Sequence, residues 1–427
     1  MAAHLDPHFQ THSQWTLSQT HPIHTSTHLA TAVFRVIEEL GLRRFLPRYG
    51  FPIGLQSLTM PDEKDSVREP VSLERDGILA ISEYVPGSTI LAGGKTFTSN
   101  GIVSYWDNGT KEKEFGTRLW QYACTSGHIW YNNWPEEPTS TCKASGCTRP
   151  KLDMGKALLV PRYGYSTAVW DPPSWQGTQE RVGRAMLVST EFLNPGDRDA
   201  TLEDFGRISG LKATLCEGGE ILASNGGTSA LGFSVCTRCG FADSETKTGI
   251  GRENLPKQFE FHTNLRKKDG KCWGNREAPV LRNLHLAGQQ ITDLVQLDFN
   301  KVLGPSLSQK FITTLGYALK QAGAELLELD PREIGMTTCK VGTNAWGLQL
   351  FDSTAGGAGH VVELFSRGQE WLERSLGALF LERLHDETCI TACLRCLLTS
   401  SSQYDYELGL LARKETRIRL SEMMPPM

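Results

Sequence analysis

The stretch Cys236-Thr-Arg-Cys239-Gly240 places two cysteines on one tight turn that ends in glycine. Two further side chains that bind zinc, His262 and Cys272, follow downstream. Three cysteines and one histidine can surround Zn²⁺ as a tetrahedron, which leaves no open position and is typical of a structural site. We therefore predict that these four residues hold zinc. The alternative is a set of unrelated buried thiols beside a surface histidine.

Two more clusters of the same residue types occur along the chain. The first comprises Cys124, His128, Cys142 and Cys147, and the second comprises Cys389, Cys393 and Cys396. His385, four residues before Cys389, is the nearest candidate for a fourth ligand of the second cluster. The alternative there is a helical cap packed by small buried thiols. This clustering among eleven cysteines favours zinc as the cofactor and metal-bound loops over a disulfide framework.

Length and charge limit the classes of function. The 427 residues are enough for two or three domains with a substantial core. The net charge of −4 gives no overall nucleic-acid footprint, so any DNA contact must come from local patches. No apolar run approaches the roughly 20 residues that span a bilayer, so no membrane contact is expected. The N-terminus lacks a secretory signal, and clustered cysteines without one are typical of a reducing compartment. We therefore expect a cytoplasmic protein.

The composition changes along the chain and divides it into four stretches. They are a flexible His-rich tail at 1–28, a helix and β-hairpin connector at 29–115, a β-rich zinc-binding region at 116–275 and an α/β domain at 276–427. The expected fold class is therefore mixed α+β, in which a zinc-ribbon-like middle region precedes an α/β C-terminal domain.

Apolar periodicity predicts the main elements within these stretches. Near the N-terminus it predicts a helix over 29–48, and alternation with turn signals predicts short antiparallel strands over 71–106. Further on, it predicts a strand over Ile291–Phe299, a helix over 307–326, a strand over Trp346–Phe351 and one long helix from His360 to about Leu384.

Six motifs carry a resemblance to a known family. They are FLPRYGFP (45–52), AISEYVPGSTILAGGKTFTSNGI (80–102), GFSVCTRCG (232–240), LHLAGQQITDLVQL (284–297), FDSTAGGAGHVVEL (351–364) and CITACLRCLL (389–398). In this order they resemble the region that follows the two motor domains in certain bacterial DEAD/DEAH-box helicases. The same region occurs in the B subunit of DISARM phage-defence systems. It ends in a cysteine-rich domain of unknown function, which is also present in the mitomycin repair helicase.

The resemblance implies a non-motor, zinc-binding accessory subunit of a DNA helicase complex in anti-phage defence or DNA repair. The implied partners are a DEAD/DEAH-box or related helicase subunit and DNA, either single-stranded or at a junction. The alternative function is a zinc-stapled protein-interaction scaffold without direct DNA contact. The family usually opens the first cysteine set with Cys-x-x-Cys, whereas this chain has Cys124-Thr-Ser-Gly127. Either His128 replaces the missing cysteine or that site is lost.

No motif for catalysis is present, so we predict that the chain is not an enzyme. A Walker A loop needs Gly-x-x-x-x-Gly-Lys-Thr/Ser, and the nearest approach, Gly94-Lys95-Thr96, has Thr89 where the first glycine belongs. The serine-hydrolase elbow, the His-Glu-x-x-His metalloprotease motif and the zinc deaminase signature are also missing. The chain would support a partner helicase and would not hydrolyse ATP alone.

Two segments are candidates for DNA contact. Arg266, Lys267, Lys268 and Lys271 form a basic segment beside Cys272, which suits phosphate contact, although a run of charge is equally typical of a solvated surface. Gly356, Gly357 and Gly359 lie between a predicted strand and a predicted helix, where backbone N–H groups can approach a phosphate. The alternative is a tight turn that packs the helix on the sheet. Asp352, just before it, is predicted to fix the turn rather than to bind a cation.

Overall fold

A computed structural model describes most of the chain from residue 55 onwards. The described residues are 55–60, 73–106, 113–136, 140–144, 147–152, 155–175, 178, 180, 182, 185–189, 200–249, 252–260, 262–272, 280–304, 307–341 and 345–424. The His-rich tail and the helix predicted over 29–48 lie outside these residues. No helix in the described ranges has both the length and the apolar composition that crossing a bilayer needs.

The described part of the chain is rich in strands. In chain order they are β1 (Gln56–Thr59), β2 (Glu74–Arg75), β3 (Thr89–Ala92), β4 (Lys95–Thr98), β5 (Gly101–Ile102), β6 (Tyr105–Trp106), β7 (Lys113–Glu114), β8 (Gly116–Ala123), β9 (Ile129–Asn133), β10 (Lys156–Pro161), β11 (Tyr165–Ser166), β12 (Ala185–Ser189), β13 (Thr201–Leu202), β14 (Lys212–Asn225), β15 (Phe233–Cys236), β16 (Ala242–Ser244), β17 (Val280–Asp298), β18 (Ile334–Val341) and β19 (Ala345–Asp352).

Helices are concentrated towards the C-terminus. They are α1 (Gly77–Glu83), α2 (Gln309–Leu327), α3 (His360–Ser366), α4 (Gly368–Leu379), α5 (Arg383–Thr388), α6 (Gln403–Glu407) and α7 (Arg413–Met423). Short 3-10 turns occur at Phe205–Arg207, Arg252–Asn254, Lys257–Glu260 and Pro331–Glu333. The mixed α+β class is confirmed, with a strand-rich middle region ahead of the C-terminal helices.

Strand β17 joins the middle and C-terminal regions within one sheet of 11 strands. The first part of the strand, around Leu284, pairs with β15 and, in parallel, with β10. Its last part, Leu294–Asp298, pairs with β14 and β19, both antiparallel. The strand predicted over Ile291–Phe299 is therefore the second half of a longer strand that begins at Val280. Because β17 is continuous, the cysteine-bearing loops and the C-terminal helices are fixed to the same sheet.

The C-terminal core forms around helix α2, which matches the helix predicted over 307–326. Ser308 caps its start by accepting a hydrogen bond from the Phe311 amide at 3.2 Å. The helix is buried on nearly all sides between strands β18 and β19 and helix α4. Trp371 of α4 is fully buried and donates its indole N–H to the Leu319 carbonyl at 2.8 Å. The cluster of Cys389, Cys393 and Cys396 packs against this core.

The single long helix predicted from His360 is wrong, because the chain forms three shorter helices. The first break falls at Arg367, whose φ of −101° and ψ of 29° end α3. The second falls at Phe380, which is extended (φ −133°, ψ 107°). The guanidinium of Arg413 donates to the Leu379 carbonyl and so stabilises the end of α4. Apolar periodicity cannot reveal this break, because the residue that stabilises it lies far along the chain.

The N-terminal connector contains a helix that the alternation over 71–106 does not predict. Asp76 accepts hydrogen bonds from the amides of Ile78 and Leu79, at 3.0 and 2.9 Å, and so caps the start of α1. Strands β3 and β4 form the expected hairpin, with its turn at Gly93-Gly94. The sequence Gly94-Lys95-Thr96 therefore belongs to a hairpin and not to a strand–loop–helix phosphate cradle.

Candidate metal centres

Three groups of cysteine and histidine converge in the described residues. They are Cys124, His128, Cys142 and Cys147; Cys236, Cys239, His262 and Cys272; and His385, Cys389, Cys393 and Cys396. Within each group the possible ligand atoms lie within 4.8 Å of one another. A tetrahedral zinc site with Zn–S bonds of about 2.3 Å has S···S edges of about 3.8 Å. The measured Sγ···Sγ distances are 4.0 Å for Cys236–Cys272, 3.9 Å for Cys389–Cys396 and 3.8 Å for Cys393–Cys396. These distances fit zinc, and all eleven cysteines are free of disulfides.

The second group is built on the turn between β15 and β16. The Gly240 amide donates to the Cys236 carbonyl at 2.8 Å, and the Phe241 amide points at the Cys239 sulfur at 3.4 Å. Gly240 has a φ of +85°, and a Cβ there would lie 2.1 Å from the Ile102 carbonyl oxygen of β5. Only glycine allows this close approach. The turn is therefore held from outside the group as well as from within.

His262 completes the second group with its orientation fixed from both sides of the ring. Its Nδ1 lies 3.2 Å from the Phe259 carbonyl, and its Nε2 lies 3.5 Å from the Cys239 sulfur. The ring stacks on Phe241 with centroids 4.8 Å apart and planes 11° apart. An Nδ1–H donated to a carbonyl leaves the Nε2 lone pair free for a metal, an arrangement common among metal-binding histidines. The side chain is buried.

Protons are unequally shared among the ligands of the second group. Hydrogen bonds from the Cys239 and Cys272 thiols lower the pKa of Cys236, and the same interaction with Cys236 raises the pKa of Cys239. Burial lowers the pKa of His262, but hydrogen bonds to the Cys236 and Cys272 sulfurs outweigh it and raise the pKa to about 9. Zinc binds the deprotonated forms, so its arrival would displace these shared protons.

Cys124 and His128 of the first group lie in the turn between strands β8 and β9, and Cys142 and Cys147 follow the hairpin. The His128 carbonyl accepts a hydrogen bond from the Cys124 amide at 3.0 Å. The His128 Nδ1 lies 3.5 Å from the Cys124 sulfur and 3.6 Å from the Cys142 sulfur. Burial raises the pKa of the Cys142 thiol to about 12. His128 thus occupies the place that the missing second cysteine of a Cys-x-x-Cys pair would take.

The third group consists of His385 in helix α5 and three cysteines in the loop that follows it. The His385 Nε2 approaches the Cys393 sulfur at 3.3 Å, which supplies the fourth member that the spacing of the cysteines left open. Burial raises the pKa of the Cys389 thiol to about 12. Burial also acts to raise the pKa of Cys393, but the hydrogen bond from His385 helps to lower it to about 6. The group therefore contains a thiol that is readily ionised at neutral pH.

A buried arginine anchors the third group to the last helix. Arg413 is fully buried and donates to the carbonyls of Leu379 and Cys389 and to the Asp386 carboxylate, the last at 3.1 Å. Arg417 adds two further bonds to Asp386, each 3.0 Å long. These two arginines lower the pKa of Asp386, although its burial opposes them. Nothing in the cysteine spacing indicates this support.

The basic segment predicted to contact DNA forms a loop between two members of the second group. The Cys272 amide donates to the His262 carbonyl at 3.0 Å and closes the base of the loop. Arg266, Lys267, Lys268 and Lys271 are all exposed. Asp269 is exposed among them, so the loop is basic but not uniformly so. DNA contact by the loop stays a prediction.

The backbone amides of the glycine-rich turn bind the carboxylate of Asp352. Asp352 Oδ2 accepts the amides of Ala358 and Gly359, each at 2.7 Å, and Oδ1 accepts the Val361 amide at 3.0 Å. The prediction that Asp352 fixes the turn is confirmed. The amides of Gly356 and Gly357 donate to the carbonyls of Ile291 and Thr354. DNA contact by Gly356, Gly357 and Gly359 stays a prediction, but these N–H groups are already engaged and do not form an open phosphate cradle.

Comparison with known proteins gives a family match in the C-terminal region. Residues 315–397 match the family model of the MrfA Zn-binding domain. Comparison with curated proteins finds no match. Among solved structures, the crystal structure of the DUF1998 helicase MrfA bound to DNA is 11% identical, with a TM-score of 0.38 over 87% of this chain and 34% of that chain. The structure of the same helicase bound to DNA and AMPPNP is 10% identical, with a TM-score of 0.30 over 86% of this chain and 31% of that chain. The present chain thus spans about a third of the helicase chains it matches.

Together, the fold and the three groups define a mixed α+β zinc-binding protein. Its segment 315–397 is similar to the zinc-binding domain of MrfA, and this match confirms the resemblance to the C-terminal region of MrfA-like helicases. The matched segment contains most of α2, the glycine-rich turn and all four members of the third group. Zinc as the cofactor is confirmed by this match and by the geometry of the groups. The assignment of individual ligands stays a prediction.

Proposed function

We propose that the chain is a non-motor, zinc-binding accessory subunit of a DNA helicase complex that acts in the cytoplasm in anti-phage defence or DNA repair. The observation that carries the proposal is the match of residues 315–397 to a helicase zinc-binding domain, in a chain whose sequence contains no Walker A loop. The implied partners are a DEAD/DEAH-box or related helicase subunit and DNA.

In this proposal each of the three Cys₃His groups holds one structural zinc ion. Four protein ligands leave no position for water or substrate, so the metal would stabilise loops and take no part in catalysis. The described chain supports each group by packing or hydrogen bonds: β5 against the second, Arg413 against the third, and the aromatic side chains Tyr122 and Trp130 against the first. The zinc ions would hold these loops in the arrangement that contacts the partners.

The proposed DNA contact is the basic loop between His262 and Cys272. Its base is tied by the second group, so the four cationic side chains project from a fixed support. Each phosphate contact to a single strand contributes about 0.7 to the slope of log K against log salt. Replacing Arg266, Lys267, Lys268 and Lys271 by glutamate is therefore expected to weaken DNA binding and to flatten its salt dependence.

The experiment measures binding of a labelled single-stranded oligonucleotide by the full chain, alone and with a helicase identified by affinity purification from the native cell. We further propose that the helicase docks on the helix predicted over 29–48 and on the FLPRYGFP motif, which lie outside the described residues. The charge-reversed variant should therefore retain its zinc and its helicase contact. A variant with Lys310 and Lys414 replaced by glutamate is a control for added negative charge elsewhere. Unchanged DNA affinity of the assembled complex after the loop reversal would contradict the proposed contact.

A second function, a protein-interaction scaffold without DNA contact, is favoured by one specific observation. The third group displays large apolar side chains directly beside its members: Leu384 is 65% exposed, Ile390 66% and Leu394 85%. Exposed apolar side chains grouped in this way are typical of protein–protein contacts. If Leu394→Ser abolishes helicase capture while the loop reversal leaves DNA affinity unchanged, the scaffold is the better description.

A further inference from the structure

The hairpin of β8 and β9 carries a ladder of aromatic rings on one face. Side chains alternate between the faces of a strand, so Arg118, Trp120 and Tyr122 point the same way. The strands pair Trp120 with Asn132 and Tyr122 with Trp130, which puts these partners on that face too. Ring centroids are 5.9 Å apart for Tyr122–Trp130, 6.4 Å for Trp120–Tyr122 and 5.3 Å for Trp120–Trp134. The four rings follow one another in the order Trp130, Tyr122, Trp120, Trp134.

The ladder is covered at one end and open at the other. Trp130 and Tyr122 are 1% and 6% exposed, because Cys124 and Cys142 of the first metal group and the neighbouring Ala144 pack against them. Trp120 is half-buried, and Trp134 is 50% exposed at the end of the hairpin. The inner rings thus pack against the first metal group, and Trp134 is the ring of the ladder most open to solvent.

Positive charge lines the same face. Lys143 donates to Asn132, the cross-strand neighbour of Trp120, at 2.7 Å. The Lys151 ammonium lies 5.1 Å from the centre of the Tyr122 ring. Residues 116–162 contain six Lys or Arg against three Asp or Glu, although the whole chain has a net charge of −4. Glu136 lies in the turn after β9 and is the one acidic side chain described in this stretch.

We infer that this aromatic face binds single-stranded nucleic acid, with unpaired bases stacked on Trp134 and Trp120 and the backbone phosphates near Arg118, Lys143 and Lys151. Stacking needs exposed base faces, which a duplex hides between its base pairs, whereas a single strand offers them to any flat ring. Charge complementarity also favours a polyanion over an apolar or cationic partner. The inference rests on the proposed function in one respect, because the strand would be one that a partner helicase separates.

The experiment measures the affinity of the zinc-loaded full chain for fluorescent oligothymidylate and for a blunt duplex. Trp134→Ala should weaken binding of the single strand about fivefold or more, since stacking of one base contributes at least about 1 kcal/mol. Trp134→Phe should recover most of this affinity, because it keeps a stacking ring. The double variant Lys143→Gln/Lys151→Gln should lower the salt slope by about 0.7 for each lost phosphate contact.

Trp175→Ala is the matched control, because Trp175 is 68% exposed on another loop of the chain. It should leave the affinity unchanged, and all variants should retain the zinc content of the parent chain. Three results would overturn the inference: unchanged affinity in Trp134→Ala, an equal loss in Trp175→Ala, or no preference for the single strand. If loop reversal at Arg266, Lys267, Lys268 and Lys271 then still weakens binding, the proposed function stands without this face. Absence of any nucleic-acid binding would overturn both.

Discussion

Histidine selects a different nitrogen in different metal groups, and the local backbone explains the choice. His128 follows Cys124 by four residues and faces the sulfurs with Nδ1, the nitrogen closer to its own backbone. His262 comes from a separate loop and reaches across with Nε2 while its Nδ1 faces the Phe259 carbonyl. A ligand supplied from the same turn needs a short reach, and a ligand from a distant segment needs a long one. The same geometry agrees with the prediction that His128 replaces the cysteine missing at position 127.

At the scale of one residue, a substitution at Cys239 tests whether the second group binds zinc. Cys239→Ser should remove one of about three zinc equivalents and lower the thermal midpoint sharply, since zinc binding at such a site contributes folding free energy. Zinc is measured by elemental analysis after dialysis against a weak chelator. Cys216→Ala is the control, because Cys216 is a buried free cysteine that belongs to none of the three groups. Less than half an equivalent of zinc in well-folded parent protein would contradict the prediction.

Sequence spacing predicts the metal-binding residues better than it predicts the contacts that hold them in place. The Cys-x-x-Cys-Gly turn and the zinc-binding residue types that follow it are enough to predict the members of the second group. The aromatic ladder also leaves a signal, since Trp120 and Tyr122 stand two positions apart in β8, and Trp130 in β9 and Trp134 just after it stand four positions apart. In contrast, Arg413 lies 24 residues after Cys389, whose carbonyl it contacts, and no local pattern connects the two. Contacts of this kind depend on tertiary packing, which periodicity does not encode.

Helix α5 depends on such a distant contact, which gives a prediction at the scale of an element. The helix has only six residues, too few to be stable by itself. Its Asp386 pairs with Arg413 and Arg417 of α7. Arg413 also donates a hydrogen bond to the carbonyl of Leu379, the last residue of α4. Contacts from α7 therefore help to position the third group.

Arg413→Met should destabilise this part of the chain by about 3 kcal/mol or more, since removal of one partner of a buried ion pair leaves carbonyls and a carboxylate without their donor. Amide hydrogen exchange over residues 383–398 should become faster, while exchange in β14 stays slow. Arg383→Met is the control: its side chain is 92% exposed in a pair with Glu387, and such pairs contribute less than about 1 kcal/mol. Equal effects of the two variants would show that burial of Arg413 does not matter.

At the scale of the whole molecule, the long strand β17 joins the zinc-binding middle region and the helical C-terminal region within one sheet. Residues near its start pair with β15, which leads into the second metal group, and residues near its end pair with β19, which leads into the Asp352 turn. The first group joins the same sheet through β8 and β10. A single sheet thus presents the basic loop, the aromatic face and the third group from one framework.

Two segments of this framework resemble a phosphate-binding loop, but neither forms a nucleotide cradle. This leads to a prediction for the assembled complex. The Gly94-Lys95-Thr96 segment forms part of a hairpin, and the amides of the glycine-rich turn are held by Asp352. The purified chain should therefore neither bind nor hydrolyse ATP, whereas addition of its helicase partner should produce ATPase activity that DNA stimulates. A coupled phosphate-release assay measures both states, with Lys95→Ala as the control for the hairpin. Hydrolysis by the chain alone that survives Lys95→Ala would reveal a nucleotide site elsewhere, and hydrolysis that Lys95→Ala abolishes would restore the hairpin as a phosphate contact.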